Sequence, residues 1–183
     1  MRRPQTGNTH KLSGLIGIAL MALAGQAAGF DLDSNSPIKV TADNARLDES
    51  KGTAIYTGDV IVSQDATELT AQKVVLYRNK GVLDRIEAFG EPAHYSQARQ
   101  GETPKTDAEA LTIIYAAGDS RITFEKQAII RQEGNVFKGD HIEYNTASRV
   151  VVADGGRSPD NPDGRVEMLI QPRQSNENQG ETN

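Results

Sequence analysis

The stretch Tyr56-Thr57-Gly58-Asp59-Val60-Ile61-Val62-Ser63-Gln64 sets Tyr56, Gly58, Val60 and Val62 on one side of an extended chain. Side chains of a strand alternate between two faces, whereas a helix repeats at i, i+3 and i+4. Upstream the same period of two runs through Ile38, Val40 and Ala42, and downstream through Val74 and Leu76. Helical spacing is not sustained anywhere after the N-terminal apolar run, so strands are expected throughout. Between the strands lie Asp48-Glu49-Ser50-Lys51-Gly52, Arg78-Asn79-Lys80-Gly81 and Ala117-Gly118-Asp119-Ser120. Each is rich in residues that accept positive φ or hydrogen-bond their own backbone, as hairpin turns require. A longer turn over 155–164 precedes a last strand at 165–170. The fold class is all-β, built of antiparallel hairpins and meanders.

A weak internal repeat with an offset of 68 residues supports this. Residues 56–64 lie over Phe124-Glu125-Lys126-Gln127-Ala128-Ile129-Ile130-Arg131-Gln132, and 69–77 over Phe137-Lys138-Gly139-Asp140-His141-Ile142-Glu143-Tyr144. Hydrophobic places coincide even where identities do not. Repetition on this scale argues for stacked β-layers, each unit burying its apolar face on its neighbours.

The N-terminus reads differently. Arg2, Arg3 and Lys11 precede an apolar run, LSGLIGIALMALA, over 12–24. That is the pattern of a secretory signal peptide, and about a dozen residues fall short of the roughly 20 that a spanning helix needs. Small residues place cleavage near Ala27 to Gly29. The expected organisation is a cleaved signal peptide over 1–27, one domain over 28–170, and a disordered tail over 171–183, which has no apolar residue to bury. Export would permit disulfides, but the chain has no cysteine. Nor is there a thiol to take a lipid anchor. The full chain has 20 basic and 25 acidic residues, net −5. Without Arg2, Arg3 and Lys11 it has 17 basic residues and a net charge of −8. Such a surface repels phosphates, which excludes nucleic acid as a partner.

A catalytic constellation is not legible. Gly118-Asp119-Ser120 resembles an esterase serine block, but it sits between two strands, as a hairpin turn does. His94 and His141 show no metal spacing and read as solvated strand residues. Carboxylates fall in turns and on outward positions, and no phosphate-cradling glycine loop or nucleophile elbow is present. A non-enzymatic protein without a cofactor is expected. The interior candidates are mainly Ile, Val, Leu and Ala; the chain has no Trp, four Phe and five Tyr. Such walls suit a filled sandwich core and a groove that buries acyl chains equally well.

Four stretches in order narrow the choice: Ser36-Pro37-Ile38-Lys39-Val40-Thr41-Ala42-Asp43, residues 56–64, residues 69–77, and Ala88-Phe89-Gly90-Glu91-Pro92-Ala93-His94-Tyr95. Together, from about 37 to 170, the chain resembles the LptA/OstA family of periplasmic lipopolysaccharide-transport bridge proteins. It departs from the pattern in the loop 97–105 and at Lys126-Gln127, where the family has a second glycine-asparagine turn. The resemblance implies an open twisted β-jellyroll in the periplasm, whose interior holds the acyl chains of lipopolysaccharide, in its lipid A part. Carried over by position, the interior contacts are Ile38, Val40, Arg78, Tyr95 and Tyr115, with Arg78 meeting a lipid phosphate at the rim. Alternation adds Val60, Val62, Val74, Leu76, Phe89 and Phe124. Gly58 is expected to serve a bulge or a close backbone approach. Open edges imply β-augmentation. The edge at 37–43 would meet an inner-membrane-anchored component, and the edge at 165–170 an outer-membrane translocon component or another copy. Head-to-tail self-association of that kind makes open filaments.

Overall fold

The computed structural model describes residues 30, 36–98, 106–132, 134–148, 150–157 and 162–172. The expected signal peptide and residues 173–183 of the expected tail lie outside the described residues, as does most of the loop before Thr106. Ten strands follow in chain order: β1 (Lys39–Thr41), β2 (Asn44–Asp48), β3 (Thr53–Gln64), β4 (Thr67–Asn79), β5 (Val82–Gln97), β6 (Thr106–Ala116), β7 (Arg121–Gln132), β8 (Asn135–Asn145), β9 (Val150–Asp154) and β10 (Glu167–Leu169). They form one antiparallel sheet in the order β1-β3-β4-β5-β6-β7-β8-β10, with β2 also on β3 and β9 also on β8. The two ends do not pair with each other. The expected hairpin turns at Lys80-Gly81 and at 117–120 are both present. Lys80 and Gly81 have φ of 51° and 84°, the pair of positive values that a two-residue turn matched to strand twist requires.

The long strands do not run through unbroken. Register shifts fall between Thr57 and Val60 of β3, Thr70 and Lys73 of β4, Phe89 and Ala93 of β5, Glu109 and Thr112 of β6, and Glu125 and Ala128 of β7. Successive strands pair, so these breaks line up in one crease across the sheet. The edges share it: β1 pairs with Ile61, Val62 and Ser63 of β3 while β2 takes 53–57. On β8, β10 takes 136–138 and β9 takes 141–145. Bulges bend strands and increase twist, and a row of them folds one sheet into two facing layers. Tyr95 of one layer meets Phe124 of the other edge to face, with ring centroids 6.2 Å apart. Small residues flank the crease where Ala71 pairs with Val60, Ala93 with Ala110, and Ala128 with Gly139. The result is the open β-jellyroll that the family resemblance implies.

The repeat is present in the backbone as well as in the pattern. β7 begins and ends 68 residues after β3, and β8 begins 68 residues after β4. Gly58 and Asp59, with φ of 81° and 40°, correspond to Lys126 and Gln127, with φ of 64° and 56°. The backbone form of Gly58-Asp59 is thus repeated without glycine, with two side chains in the left-handed region. At Gly58 the requirement is stricter. The Asp43 N–H donates to the Gly58 carbonyl at 3.0 Å, and a Cβ on Gly58 would overlap the Asp43 carboxylate.

Left-handed backbone costs about 1–2 kcal/mol per non-glycine residue, part of which glycine gives back through unfolded-chain entropy. Lys126→Gly is therefore expected to stabilise by about 0.5–1 kcal/mol, and Gly58→Ala to destabilise by about 2 kcal/mol, from strain and overlap together. Urea midpoints at unchanged slope measure both, and a loss of stability in Lys126→Gly contradicts the account.

Candidate functional site

The two layers face each other through residues that pair across the whole sheet. On one layer the inner row reads Val40, Val62, Leu69, Tyr95, Ala108, Ile130, Phe137 and Met168, each paired with the next from edge to edge. On the other, Tyr56, Val74, Ala88, Ile113, Phe124 and Ile142 form one row, and Ala54, Leu76, Ile86, Tyr115, Ile122 and Tyr144 the next. Most of these are buried in a single cluster. Toward the hairpin end the first layer finishes in a row of neutral polar side chains: Gln64, Thr67, Gln97, Thr106, Gln132 and Asn135. Gln64 donates to the Ser36 carbonyl at 2.9 Å and Gln132 to the Thr106 hydroxyl at 3.3 Å. Among the described residues no Asp, Glu, Lys or Arg is buried. The interior is an apolar wall with a neutral polar rim, and it offers no acid–base pair.

Of the residues singled out from sequence, Val60, Val62, Val74, Tyr95, Tyr115 and Phe124 are buried in this interior. Ile38, Val40 and Leu76 are half-buried against the same cluster. Arg78 lies exposed beside the β4–β5 turn, its N–H held by the Gly52 carbonyl at 2.7 Å. Phe89 is on the opposite face. Ile86 and Ala88 point inward in this half of β5, so Phe89 turns out and lies under the Lys73 ammonium, 5.4 Å from the ring centroid. Alternation expected it inside; it has the parity of Tyr95, which points inward only beyond the crease. Leu69, Ile86, Ile113, Ile122, Ile130, Ile142 and Tyr144 were not singled out, although alternation within each half finds them. Phe30 belongs to no strand and carried no periodic signal, yet it is 3% exposed within the cluster.

Tyrosines supply the polar groups inside. Burial, together with the nearby Tyr144 and Tyr115, pushes the Tyr95 hydroxyl well above its ordinary value of 10, against a smaller opposing effect of its hydrogen bond with Thr67. The Tyr115 hydroxyl donates to the Phe30 carbonyl, and the two rings lie 5.7 Å apart at 65°.

The outer face is charged. His94 meets Asp107 at 2.7 Å, and Arg131 meets Asp107 at 3.2 Å and Glu109 at 2.9 Å. This ties β5, β6 and β7 together on the solvent side, where each exposed pair contributes little alone. His94 thus has an acidic neighbour that sequence spacing does not reveal. His141 lies 3.5 Å from Glu143, and among the described residues no group of His, Asp and Glu is arranged to hold a metal. An open cleft of about 330 Å³ beside the β6–β7 turn is lined by Asp119, Arg121, Glu143, Asn145, Val150 and Val152. Its cation is already engaged by Asp119 at 2.9 Å. Among the described residues no helix is long and apolar enough to cross a membrane.

One creased sheet, open at both ends and lined by neutral apolar side chains, defines the class: an open jellyroll whose interior suits hydrocarbon. The family described as LptA/(LptD N-terminal domain) LPS transport protein matches residues 39–150. The lipopolysaccharide export system protein LptH of Pseudomonas aeruginosa is 36% identical over 162 residues, covering 87% of this chain and 93% of that one. The lipopolysaccharide export system protein LptA of Haemophilus influenzae is 30% identical over 168 residues, covering 89% and 94%. The crystal structure of LptH, described as the LptA-homologous periplasmic component of the lipopolysaccharide transport device of Pseudomonas aeruginosa, superposes with a TM-score of 0.65. It is 39% identical and covers 74% of this chain and 96% of that one. The chain belongs to the LptA/LptD N-terminal-domain family.

The Tyr95 shift has a fixed sign. The folded pKa lies above the unfolded value of 10, so its contribution is complete below pH 10 and is lost as pH rises further. From pH 10 upward, stability is expected to fall more steeply in the wild type than in Tyr95→Phe, by up to about 1.4 kcal/mol per pH unit. Urea midpoints against pH measure the difference, and equal slopes contradict the burial of this hydroxyl.

Proposed function

We propose that this protein is a non-enzymatic periplasmic carrier that holds lipopolysaccharide by its acyl chains and bridges the inner and outer membranes. The observation that carries the reading is the inner lining, which runs apolar and uncharged from Val40 at one open edge to Met168 at the other. Acyl chains lying along it gain about 0.8 kcal/mol per methylene buried, and nearly the same at each step along the sheet. Ile38, Val40, Val60, Val62, Val74, Leu76, Tyr95, Tyr115 and Phe124 form the contact wall. Arg78, exposed beside the β4–β5 turn, would meet a phosphate of the headgroup. An exported chain cut near Ala27 to Gly29 supplies the compartment.

The edges supply the bridge. β1 and β2 both run antiparallel to β3, and β9 and β10 both run antiparallel to β8. A second copy placed head to tail would set β10 beside β1 and β9 beside β2, continuing the antiparallel alternation in both layers. Leu47 at one edge and Val150, Val152, Met168 and Leu169 at the other are exposed, as pairing edges require and solitary edges avoid. The N-terminal edge takes an inner-membrane-anchored component and the C-terminal edge an outer-membrane translocon component.

A photocrosslinking residue at Ile38 or Tyr115 is expected to label lipopolysaccharide in cells, and one at the outward Lys39 is not. Labelling from Lys39 alone would sink the carrier reading. The near-complete burial of the interior cluster favours one alternative: a structural protein with a filled core acting only through protein partners. No lipid co-purifying with the protein, together with silence at all three positions, is the result that alternative predicts.

A further inference from the structure

Among the described residues, Phe30 is the one buried member of the interior cluster that no strand delivers. It is nearly sequestered, with its ring against Tyr115 and its carbonyl accepting the Tyr115 hydroxyl. Ser36, the next described residue, is held from the other layer, since Gln64 of β3 donates to the Ser36 carbonyl. Phe30 lies in no strand of the sheet, and its ring burial and the hydrogen bond from Tyr115 fix it to the interior. A buried hydroxyl needs an acceptor, and Tyr115 is given one by this chain's own backbone. An aromatic ring followed by a carbonyl oxygen presents the two features of an acyl group: hydrocarbon, and the ester or amide carbonyl that ends it.

Resting on the carrier reading above, we propose that Phe30 is an internal occupant of the acyl path, displaced when a lipid enters. The ring fills hydrocarbon space between the layers while no lipid is bound. An arriving acyl chain takes the space, and its carbonyl takes over the Tyr115 hydroxyl. The exchange leaves no interior polar group unpaired at either end point. It also makes apparent lipid affinity lower than the intrinsic affinity by the fraction of molecules in which Phe30 is withdrawn.

Labelling with fluorophenylalanine tests this in the full protein, because only four phenylalanines are present. The Phe30 fluorine resonance is assigned by its absence in Phe30→Leu. On titration with purified lipid A, that resonance is expected to move to the solvent-exposed position in proportion to lipid bound, while the Phe124 resonance stays buried but shifts. Deacylated lipid A is expected to move neither. Phe30→Ala is expected to bind lipid A about tenfold more tightly. A Phe30 resonance that keeps its buried position while lipid A binds and Phe124 shifts overturns the proposal and leaves the carrier reading standing. Unchanged affinity in a folded Phe30→Ala does the same. No binding of lipid A and no shift at any phenylalanine overturns the carrier reading and this proposal together. Should Phe30→Ala fail to fold, the fluorine titration of the otherwise wild-type protein still decides.

Discussion

Backbone pairing must be kept across ten strands while the sheet turns back on itself, and the aligned breaks reconcile the two demands. Each long strand carries its irregularity at the same height, so ladder bonds survive on both sides and are given up only along the crease. Were the breaks staggered, each bend would fall beside a straight neighbour and the layers could not face one another. The small residues beside the crease, Ala71, Ala93, Ala110, Ala128 and Gly139, follow from the same demand, because facing halves converge there. The apolar contact of the layers, seen where Tyr95 meets Phe124, holds the bend closed.

This crease also decides what could be read from sequence. Period-two alternation located the strands and turns because each half strand obeys it. The number of residues inserted at the crease sets the phase of the second half, and that number differs between strands. In β3 and β7 the inward parity is preserved, from Tyr56 to Val60 and from Phe124 to Ala128. In β4, β5 and β6 it is reversed, from Ala71 to Val74, from Ala88 to Ala93 and from Ala110 to Ile113. Phe89 lies outward for this reason: it shares the parity of Tyr95, which points inward only beyond the break. Two other features had no local signal at all. His94 and Asp107 meet only because β5 pairs with β6, and Phe30 reaches the interior without a strand.

The partition of charge follows from the same geometry. Acids and bases lie on the outer face and in turns, where water solvates them and where His94, Asp107, Arg131 and Glu109 cross-link neighbouring strands. Inside, polar function is left to tyrosine and threonine hydroxyls and to glutamine amides, groups that can be buried when each finds one partner. Ionised groups inside would hold the layers to fixed partners; neutral ones let the lining exchange one partner for another.

The 68-residue repeat has a consequence for movement. Four strands at about 4.8 Å each make a spatial period of about 19 Å, and β7 and β8 restore the inward pattern of β3 and β4. A hydrocarbon chain shifted by one period finds the same kind of wall, so the energy along the sheet is a shallow corrugation with no overall slope. A potential of that form lets a passenger travel but has no preferred direction. For the carrier proposed above, net transport would then be a property of its two ends, set by what loads one edge and what empties the other.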